Sequence, residues 1–163
     1  MLEIREIKAC ERYFLDEMLR EAAYFPDPSK KLEKLAELHP VLSTYFDSFG
    51  REGEFALVVV TADGLGGAAW TRRFSNEFSS HGFVDDDTPE LGIAIKEELR
   101  NQGIGTRLMT RIIGELSAAG FRQVSLSVDK RNPAVRLYQR LGFQVHSEGE
   151  NFYTMIKHIE PPL

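Results

Sequence analysis

The sequence predicts an α+β fold. Segments in which apolar and polar residues alternate, the pattern of half-buried strands, are interspersed with segments whose apolar residues recur every three to four positions, the pattern of amphipathic helices. The predicted order along the 163 residues is β-α-α-β-β-β-α-β-α-β-β. The most informative stretch lies between residues 88 and 143, where a loop with two glycines joins a short apolar run to a long helical pattern.

The first elements follow from this periodicity. Residues 2–7 alternate and predict a strand, and residues 8–23 carry an apolar stripe at helical spacing. A proline-rich segment ends that helix. A second helix is expected to stop where His39-Pro40 interrupts it, and residues 41–49 are expected to continue as a further short helix with an aromatic face.

A strand pair and a loop are predicted next. The run from Phe55 to Val60 is apolar throughout, which indicates a strand covered on both faces. Asp63-Gly64 is a hairpin turn signal, so residues 67–72 are predicted to return as the neighbouring strand. Residues 74–88 show no clear period and are predicted to form a loop that leads into a strand over residues 91–95.

The second half of the chain begins with a long helix. Gly103 or Gly105 is predicted to open it, and Gly120 is a suitable left-handed terminator. A strand over residues 124–128 follows. Asn132-Pro133 then reads as an N-cap followed by a proline at the first helical position, and a final hairpin completes the pattern.

The loop Arg100-Asn101-Gln102-Gly103-Ile104-Gly105 predicts a phosphate-binding site. Glycines allow a ligand to approach the backbone closely, and the first amides of the following helix lack intrahelical acceptors, so they favour an anion. No Gly-Lys-Ser/Thr follows, which excludes a Walker loop. The Rossmann fingerprint needs a third glycine where this chain has Leu108.

With its surroundings, the loop resembles the pyrophosphate loop Q/R-x-x-G-x-G/A of the GNAT superfamily of acyl-CoA N-acyltransferases. Ile93-Ala94-Ile95 stands where that family's fourth strand contacts pantetheine. Asn132, Tyr138 and Gly142-Phe143 stand where the family has its pantetheine asparagine, its thiol-side tyrosine and its last strands. The resemblance covers nearly the whole chain. It implies a GNAT fold, with a mixed, mostly antiparallel sheet whose central strands are splayed and flanked by helices.

The resemblance also implies an activity, the transfer of an acetyl group from acetyl-CoA to a primary amine by direct attack in a ternary complex. Acetyl-CoA would be a cosubstrate, and no metal is expected. The implied cofactor-binding residues are Ile93, Ala94, Ile95, Arg100, Asn101, Gln102, Gly103, Ile104, Gly105, Thr106, Arg107 and Asn132. Arg100 and Arg107 have an alternative interpretation as solvated helix surface, and the isoleucines have one as ordinary strand residues.

Two residues are implied for the proton transfers. Tyr138 matches the family's general acid, which faces the departing sulfur, although a tyrosine in an apolar stripe also suits a core. Glu90 is the best carboxylate for the base; the alternative is a solvated strand end, and His81 is a weaker candidate. Ribosomal-protein alanine acetyltransferases have a glutamate five residues before the asparagine, where this chain has Ser127, which disfavours an N-terminal protein substrate of that kind.

The acceptor is expected to be a small-molecule amine. Asp85, Asp86 and Asp87 could dock a cationic group, or form only a solvated loop. Trp70 is the other substrate-binding candidate: Gly67-Ala68-Ala69-Trp70, together with residues 82–91, resembles a bacterial GNAT subgroup of unassigned acceptor. A protein acetyltransferase acting on lysine or an N-terminus, and a non-catalytic acyl-CoA-binding sensor, remain alternatives.

Composition limits the remaining possibilities. The length suits a single domain over residues 1–163, and the net charge of −5 argues against nucleic acid as the main partner. The single cysteine, Cys10, excludes an intrachain disulfide. No apolar run is long enough for a membrane span, and the N-terminus lacks a signal-peptide core. We therefore expect a cytoplasmic protein, monomeric or homodimeric.

Overall fold

The computed structural model describes residues 2–74 and 82–162. Within them the strands and α-helices follow the predicted order. Their bounds are β1 (Glu3–Glu6), α1 (Tyr13–Ala22), α2 (Lys31–Leu42), β2 (Ala56–Thr61), β3 (Gly64–Arg72), β4 (Glu90–Ile95), α3 (Ile104–Ala118), β5 (Gln123–Asp129), α4 (Ala134–Arg140), β6 (Gln144–Glu148) and β7 (Phe152–His158).

The strands form one seven-stranded sheet in the order β1-β2-β3-β4-β5-β7-β6. Only β4 and β5 are parallel among the described strand pairs, and α3 connects them. The other pairs are antiparallel. The predicted α+β fold with a mixed, mostly antiparallel sheet is therefore confirmed.

The two central strands separate after a single registered pair. β4 pairs with β3 over its whole length. It pairs with β5 only where Glu90 faces Ser125, and the amide of Ser125 donates to the carbonyl of Pro89 at 3.0 Å. The strands diverge from that point towards their C-terminal ends, as the resemblance implied, and the gap exposes the edge of β4.

Helices cover both faces of the sheet. On one face α3 buries Leu108, Ile112 and Leu116, which recur at four-residue spacing and are fully inaccessible to solvent. On the other face α1 buries Phe14 and Leu15 in a second cluster. The sheet thus separates an α3–α4 side from an α1–α2 side, and both sides adjoin the gap between β4 and β5.

The prediction that His39-Pro40 interrupts the second helix is wrong. α2 runs through Pro40 to Leu42, and residues 43–48 form turns instead of a further helix. Pro40 is exposed, so its ring projects from the helix without crowding a neighbour, and the carbonyl that loses its partner can bind water. The cost is one backbone hydrogen bond, which is too little to end the helix here.

No helix in the described ranges is both long enough and apolar enough to cross a membrane.

Candidate active site

A cleft of about 840 Å³ occupies the gap between β4 and β5. The C-terminal half of β4 forms its floor, the glycine loop and the start of α3 form one end, and α4 and the α1–α2 connection form its walls. The predicted cofactor residues that line it are Ile93, Ala94, Ile95, Arg100, Asn101, Gly103, Ile104, Gly105, Thr106 and Asn132.

The glycine loop presents free backbone amides to this cleft. Gly103 caps α3 with φ 76°, and a Cβ there would meet no atom within 4 Å, so the space beside it is open. The amide of Arg107 donates to the carbonyl of Gly103 at 3.2 Å. The amides of Ile104, Gly105 and Thr106 precede this bond and have no acceptor among the described residues, so the positive end of the helix dipole faces the cleft.

The edge of β4 also offers backbone groups. The amide of Lys96 donates to the carbonyl of Gly66 at 2.9 Å, which makes these two residues a hydrogen-bonded pair with β3. Such pairs alternate along an antiparallel ladder, so the backbone groups of Ile93 and Ile95 point away from β3, into the gap. The Ile95 carbonyl accepts a hydrogen bond from Arg100 Nε at 2.9 Å, and the remaining groups face the cleft.

Two residues of the predicted cofactor set do not line the cleft. Gln102 donates from Nε2 to the carbonyl of Glu98 at 3.1 Å and so closes the turn before the loop. Arg107 lies outside the lining as well. Arg100 does line it, but its Nη2 is paired with a carboxylate oxygen of Glu21 at 2.8 Å.

Asn132 lies just before α4, and the amide of Ala134 donates to its Oδ1 at 2.9 Å. The helix begins at Ala134, so Pro133 is its N-cap residue and not its first helical residue as predicted. The bond to Oδ1 fixes the Asn132 side chain at the wall of the cleft. Its amide nitrogen has no acceptor in the part of the chain that the structure describes. Asn132 therefore has a donor available beside the edge of β4.

Tyr138 lies on the cleft side of α4 and is 9% exposed. Its ring packs edge-on against Phe143 with centroids 6.0 Å apart. Burial raises the pKa of the phenol to about 12. Because its hydroxyl bonds to no other described residue, Tyr138 is a neutral proton donor that a ligand in the cleft can use.

Glu90 is buried rather than solvated, at 6% exposure, and it does not line the cleft. The backbone of Gly82 lies directly against its carboxylate, so that a Cβ on Gly82 would overlap Glu90 Oε1. The hydroxyl of Ser125 donates to the carbonyl of Gly82 at 2.6 Å and holds that backbone in place. Glu90 therefore sits at the closed end of the gap, where β4 and β5 meet.

Trp70 lies on the α1–α2 side of the sheet and is 1% exposed. Its indole rests on Gly92, where a Cβ would overlap the ring. The indole N–H donates to the hydroxyl of Tyr45 at 3.4 Å. Trp70 is therefore part of a packed cluster behind β4 and does not line the cleft.

The three aspartates form a turn outside the cleft lining. Asp85 accepts bonds from the amide of Asp87 at 2.9 Å and from the hydroxyl of Thr88 at 2.8 Å. Arg73 donates to the carbonyl of Asp86 at 2.8 Å, and the side chain of Asp87 is fully exposed. The remaining candidate base, His81, lies outside the described residues.

One wall of the cleft consists of residues that the sequence did not single out. They are Glu21, Ala22, Ala23, Tyr24, Phe25, Pro28 and Lys31. The hydroxyl of Tyr24 donates to the carbonyl of Arg131 at 3.3 Å, and this bond connects the end of α1 to the segment before α4. No local pattern could reveal this contact, because the two residues are 107 positions apart.

Within residues 2–74 and 82–162 no group of three or more His, Cys, Asp or Glu side chains is placed to hold a metal ion.

The sequence that forms the cleft and its glycine loop matches a known protein family. The model of a family described as acetyltransferase (GNAT) matches residues 13–143. The chain belongs to the acetyltransferase (GNAT) family. The resemblance that the loop and its surroundings suggested is thereby confirmed.

Individual members of the family show how far the likeness extends. The mycothiol acetyltransferase of Actinosynnema mirum is 34% identical over 99 residues, which are 60% of this chain but 30% of that protein. A mycothiol acetyltransferase from Corynebacterium aurimucosum is 35% identical over 68 residues, which are 39% of this chain and 22% of its own. The chain thus spans less than a third of the length of these curated relatives.

Solved GNAT structures share the fold over nearly the full chain. The ribosomal-protein-S18-alanine N-acetyltransferase of Escherichia coli superposes with a TM-score of 0.69 at 19% identity, covering 99% of this chain and 96% of its own. A phosphinothricin acetyltransferase from Sinorhizobium meliloti, in complex with acetyl-CoA, gives 0.64 at 20%, covering 99% and 93%. These relatives are named for different acceptors, so the comparisons leave the acceptor open.

Proposed function

We propose that this chain is an acetyl-CoA-dependent N-acetyltransferase that acetylates a primary amine of a small molecule by direct attack in a ternary complex. One observation carries the proposal: free backbone groups at the edge of β4 lead from the amides at the start of α3 to the hydroxyl of Tyr138, all along one cleft. The cofactor and the transfer chemistry need these three features in that order. We further propose that residues 1–163 form one domain.

The residues of the cleft fit the cofactor. The amides of residues 101–106 would bind the pyrophosphate, because they combine free donors with the positive end of the α3 dipole. Arg100 would add charge at the mouth, and Arg107, one turn into α3, would add to the same field. Pantetheine amides would bond to the backbone of Ile93 and Ile95 as an added strand does, and to the side-chain amide of Asn132.

When bound, acetyl-CoA supplies the acetyl group as a thioester. Glu90 would accept the proton that the amine loses as its nitrogen bonds to the acetyl carbon, and Tyr138 would donate a proton to the sulfur as the carbon–sulfur bond breaks. The products are the N-acetylated amine and CoA. Because Glu90 lies behind the cleft wall, its proton transfer would pass through a water molecule.

The acceptor is proposed to be a small amine, with a second cationic group held by Asp85, Asp86 and Asp87 and with Trp70 supporting the wall behind β4. The turn of the aspartates adjoins Glu90 along the chain, and the fully exposed Asp87 carboxylate, which lies 3.9 Å from Arg73 Nη2, would exchange that loose pairing for a cation of the acceptor. An acidic chain also disfavours an anionic acceptor.

The test is a screen for free thiol release from acetyl-CoA with monoamines, diamines, amino acids and a lysine-containing peptide, alongside calorimetric titration with CoA. Turnover with a small amine and micromolar CoA binding are expected. Turnover with the peptide alone would favour a protein acetyltransferase. CoA binding without turnover of any acceptor class would overturn the proposal that the chain is an enzyme and would favour an acyl-CoA-binding sensor.

A further inference from the structure

A buried polar contact lies behind β4, on the side of the sheet opposite α3. Side chains alternate along a strand, so Glu90 and Gly92 share the face that carries Ala94, which packs with Trp70 in the α1-side cluster. The indole of Trp70 occupies the space that Gly92 leaves empty. Glu90 and Trp70 are therefore neighbours on one buried face.

Tyr45 completes this arrangement. Its ring packs edge-on against Phe46, with centroids 4.9 Å apart, and against Phe74, at 5.4 Å, so its position is fixed. Its hydroxyl oxygen accepts the indole N–H of Trp70 at 3.4 Å. Because the indole can only donate, the hydroxyl hydrogen of Tyr45 remains available to another acceptor.

The carboxylate of Glu90 is an acceptor suited to this hydrogen. Burial and then the negative charge of Glu90 raise the pKa of Tyr45 well above its usual value. The phenol is therefore neutral, and it lies within the electrostatic range of this carboxylate. Arg72 and Glu54 are the other charged groups that act on the Tyr45 phenol. A neutral buried donor beside a buried carboxylate stabilises the ionised form of the carboxylate.

Arg72 is not the group that stabilises the ionised carboxylate of Glu90, although it stands opposite Glu90 in the register of β3 and β4. Its Nε is paired with Glu54 at 3.4 Å, and its Nη2 donates to the carbonyl of Asp47 at 2.9 Å. Glu54 also binds Arg51 and the backbone of Arg73, so it anchors Arg72 away from β4. The guanidinium is thus directed towards Glu54 and the loop before β2.

We propose that Tyr45 is a positioning residue for Glu90: its hydroxyl, oriented by Trp70, donates to the Glu90 carboxylate through one water molecule and keeps it ionised as a proton acceptor. The proposal rests on Glu90 being the base of the proposed function. Its consequence is that Glu90 can accept a proton from the amine at a lower pH than an isolated buried carboxylate could.

The direct test is a carbon-13 NMR titration of the protein labelled at glutamate carboxyl carbons, with Glu90→Gln used to assign the resonance. Tyr45→Phe removes the hydroxyl and keeps the ring. It should raise the titration midpoint of Glu90 by about half a pH unit to one unit, the scale of one lost hydrogen bond to the charged form. Tyr153→Phe, which removes a hydroxyl on β7 remote from Tyr45, should leave the midpoint unmoved.

An unchanged midpoint in a folded Tyr45→Phe variant would overturn the proposal, and so would an equal shift in Tyr153→Phe. Trp70→Phe provides a second variant, because it removes the donor that orients the hydroxyl and should shift the midpoint in the same direction. Circular dichroism and melting temperature establish that each variant is folded.

The titration needs no acceptor, so its outcome is separate from that of the amine screen. With an amine that the screen identifies, the acidic limb of the pH–rate profile should move by the same amount in Tyr45→Phe. Tyr138→Phe should lower kcat without moving that limb. An amine screen without turnover would overturn the transferase and still leave the titration to decide whether Tyr45 holds Glu90.

Discussion

The Nε of Arg100 donates to the carbonyl of Ile95 at 2.9 Å, and this bond ties the glycine loop to the last residue of β4. The other end of the same guanidinium pairs with Glu21 at the end of α1. Glu21 in turn lies 3.6 Å from the ammonium of Lys31 on α2. The mouth of the cleft is therefore held by charges from both helices and the loop, and it is assembled before any ligand arrives.

Gly103→Glu is expected to lower the affinity for CoA by at least about 100-fold, because it puts a negative charge where we propose that the phosphates bind. Calorimetric titration with CoA measures this loss. Gly120→Glu is the matched control: Gly120 also has a positive φ, of 94°, and open surroundings, but it lies at the far end of α3. Equal CoA affinities in the two folded variants would show that the loop does not bind the phosphates.

Tyr138→Phe is expected to lower kcat by about 10- to 1000-fold, the scale of lost general-acid help. CoA affinity should be retained, since the ring still packs against Phe143. Tyr153→Phe, whose ring contacts Lys130 on another part of the surface, is the control and should keep the wild-type rate. A wild-type rate for Tyr138→Phe would return Tyr138 to a purely structural role.

The same tyrosine makes a prediction for pH. With its folded pKa raised to about 12, Tyr138 remains protonated up to that value, whereas an unfolded tyrosine ionises near 10. The neutral form is therefore favoured in the folded state, and its stabilising contribution is complete below about pH 10 and is lost as pH rises through about 12. Difference absorbance between wild type and Tyr138→Phe should show no phenolate from this residue up to about pH 10.

Glu90→Gln is expected to abolish the acidic limb of the pH–rate profile, because the amide cannot accept the amine proton. Initial rates with the amine that the screen identifies, measured from pH 5 to 9, provide the test. Glu97→Gln is the control, since Glu97 lines the mouth of the cleft but is remote from the closed end of the gap. Persistence of the limb in Glu90→Gln would direct attention to His81 or to water as the base.

Replacing Asp85, Asp86 and Asp87 by asparagine is expected to raise KM for the amine severalfold and to leave KM for acetyl-CoA nearly unchanged. Asparagine at position 85 can still accept the bonds that form the turn, so the loop geometry is retained. The effect should shrink with added salt, because an exposed carboxylate such as that of Asp87 is screened. Equal amine KM values at low ionic strength would show that the turn does not bind the acceptor.

Gly92→Ala is expected to destabilise the fold by about 1–3 kcal/mol, because the added Cβ would overlap the buried indole of Trp70. Gly114→Ala is the opposite case. Gly114 lies within α3, and a Cβ there would meet no atom within 4 Å, so alanine should stabilise the helix by roughly 0.5–1 kcal/mol. Chemical denaturation measures both, and equal effects would contradict the packing of Trp70 on Gly92.

The order of elements and the glycine loop before α3 could be predicted from the sequence because their signals are local. Alternation, helical spacing and the pair Gly103 and Gly105 act within a few residues of the structures they specify. The prediction that the second helix stops at Pro40 was wrong for the same reason. The local signal of a proline is strong, but whether it ended this helix depended on its exposure, which tertiary packing decides.

The surroundings of Trp70 and Glu90 could not be predicted, because the contacts there join distant segments of the chain. Tyr45 and Trp70 are 25 residues apart. Gly82 covers Glu90 and is held there by a hydrogen bond from Ser125, which is 43 positions from Gly82. Nothing near Glu90 in the sequence distinguishes a buried carboxylate from a solvated one. The glycine loop and the edge of β4 offer backbone groups, which sequence motifs encode, whereas the surroundings of Glu90 and Trp70 are side chains that only the fold brings together.

The single registered pair between β4 and β5 has a consequence for cooperativity. Strands β1–β4 and β5–β7 form two ladders that share almost no hydrogen bonds and are joined mainly by the core under α3, so we expect their amides to differ in protection in native-state exchange. A molecule bound in the cleft would contact β4 on one side and α4, which follows β5, on the other, and would couple the two ladders. Occupancy of the cleft should therefore reduce the difference in amide-exchange protection between the two ladders. Ligand binding would then rigidify the sheet where its strands share the fewest hydrogen bonds.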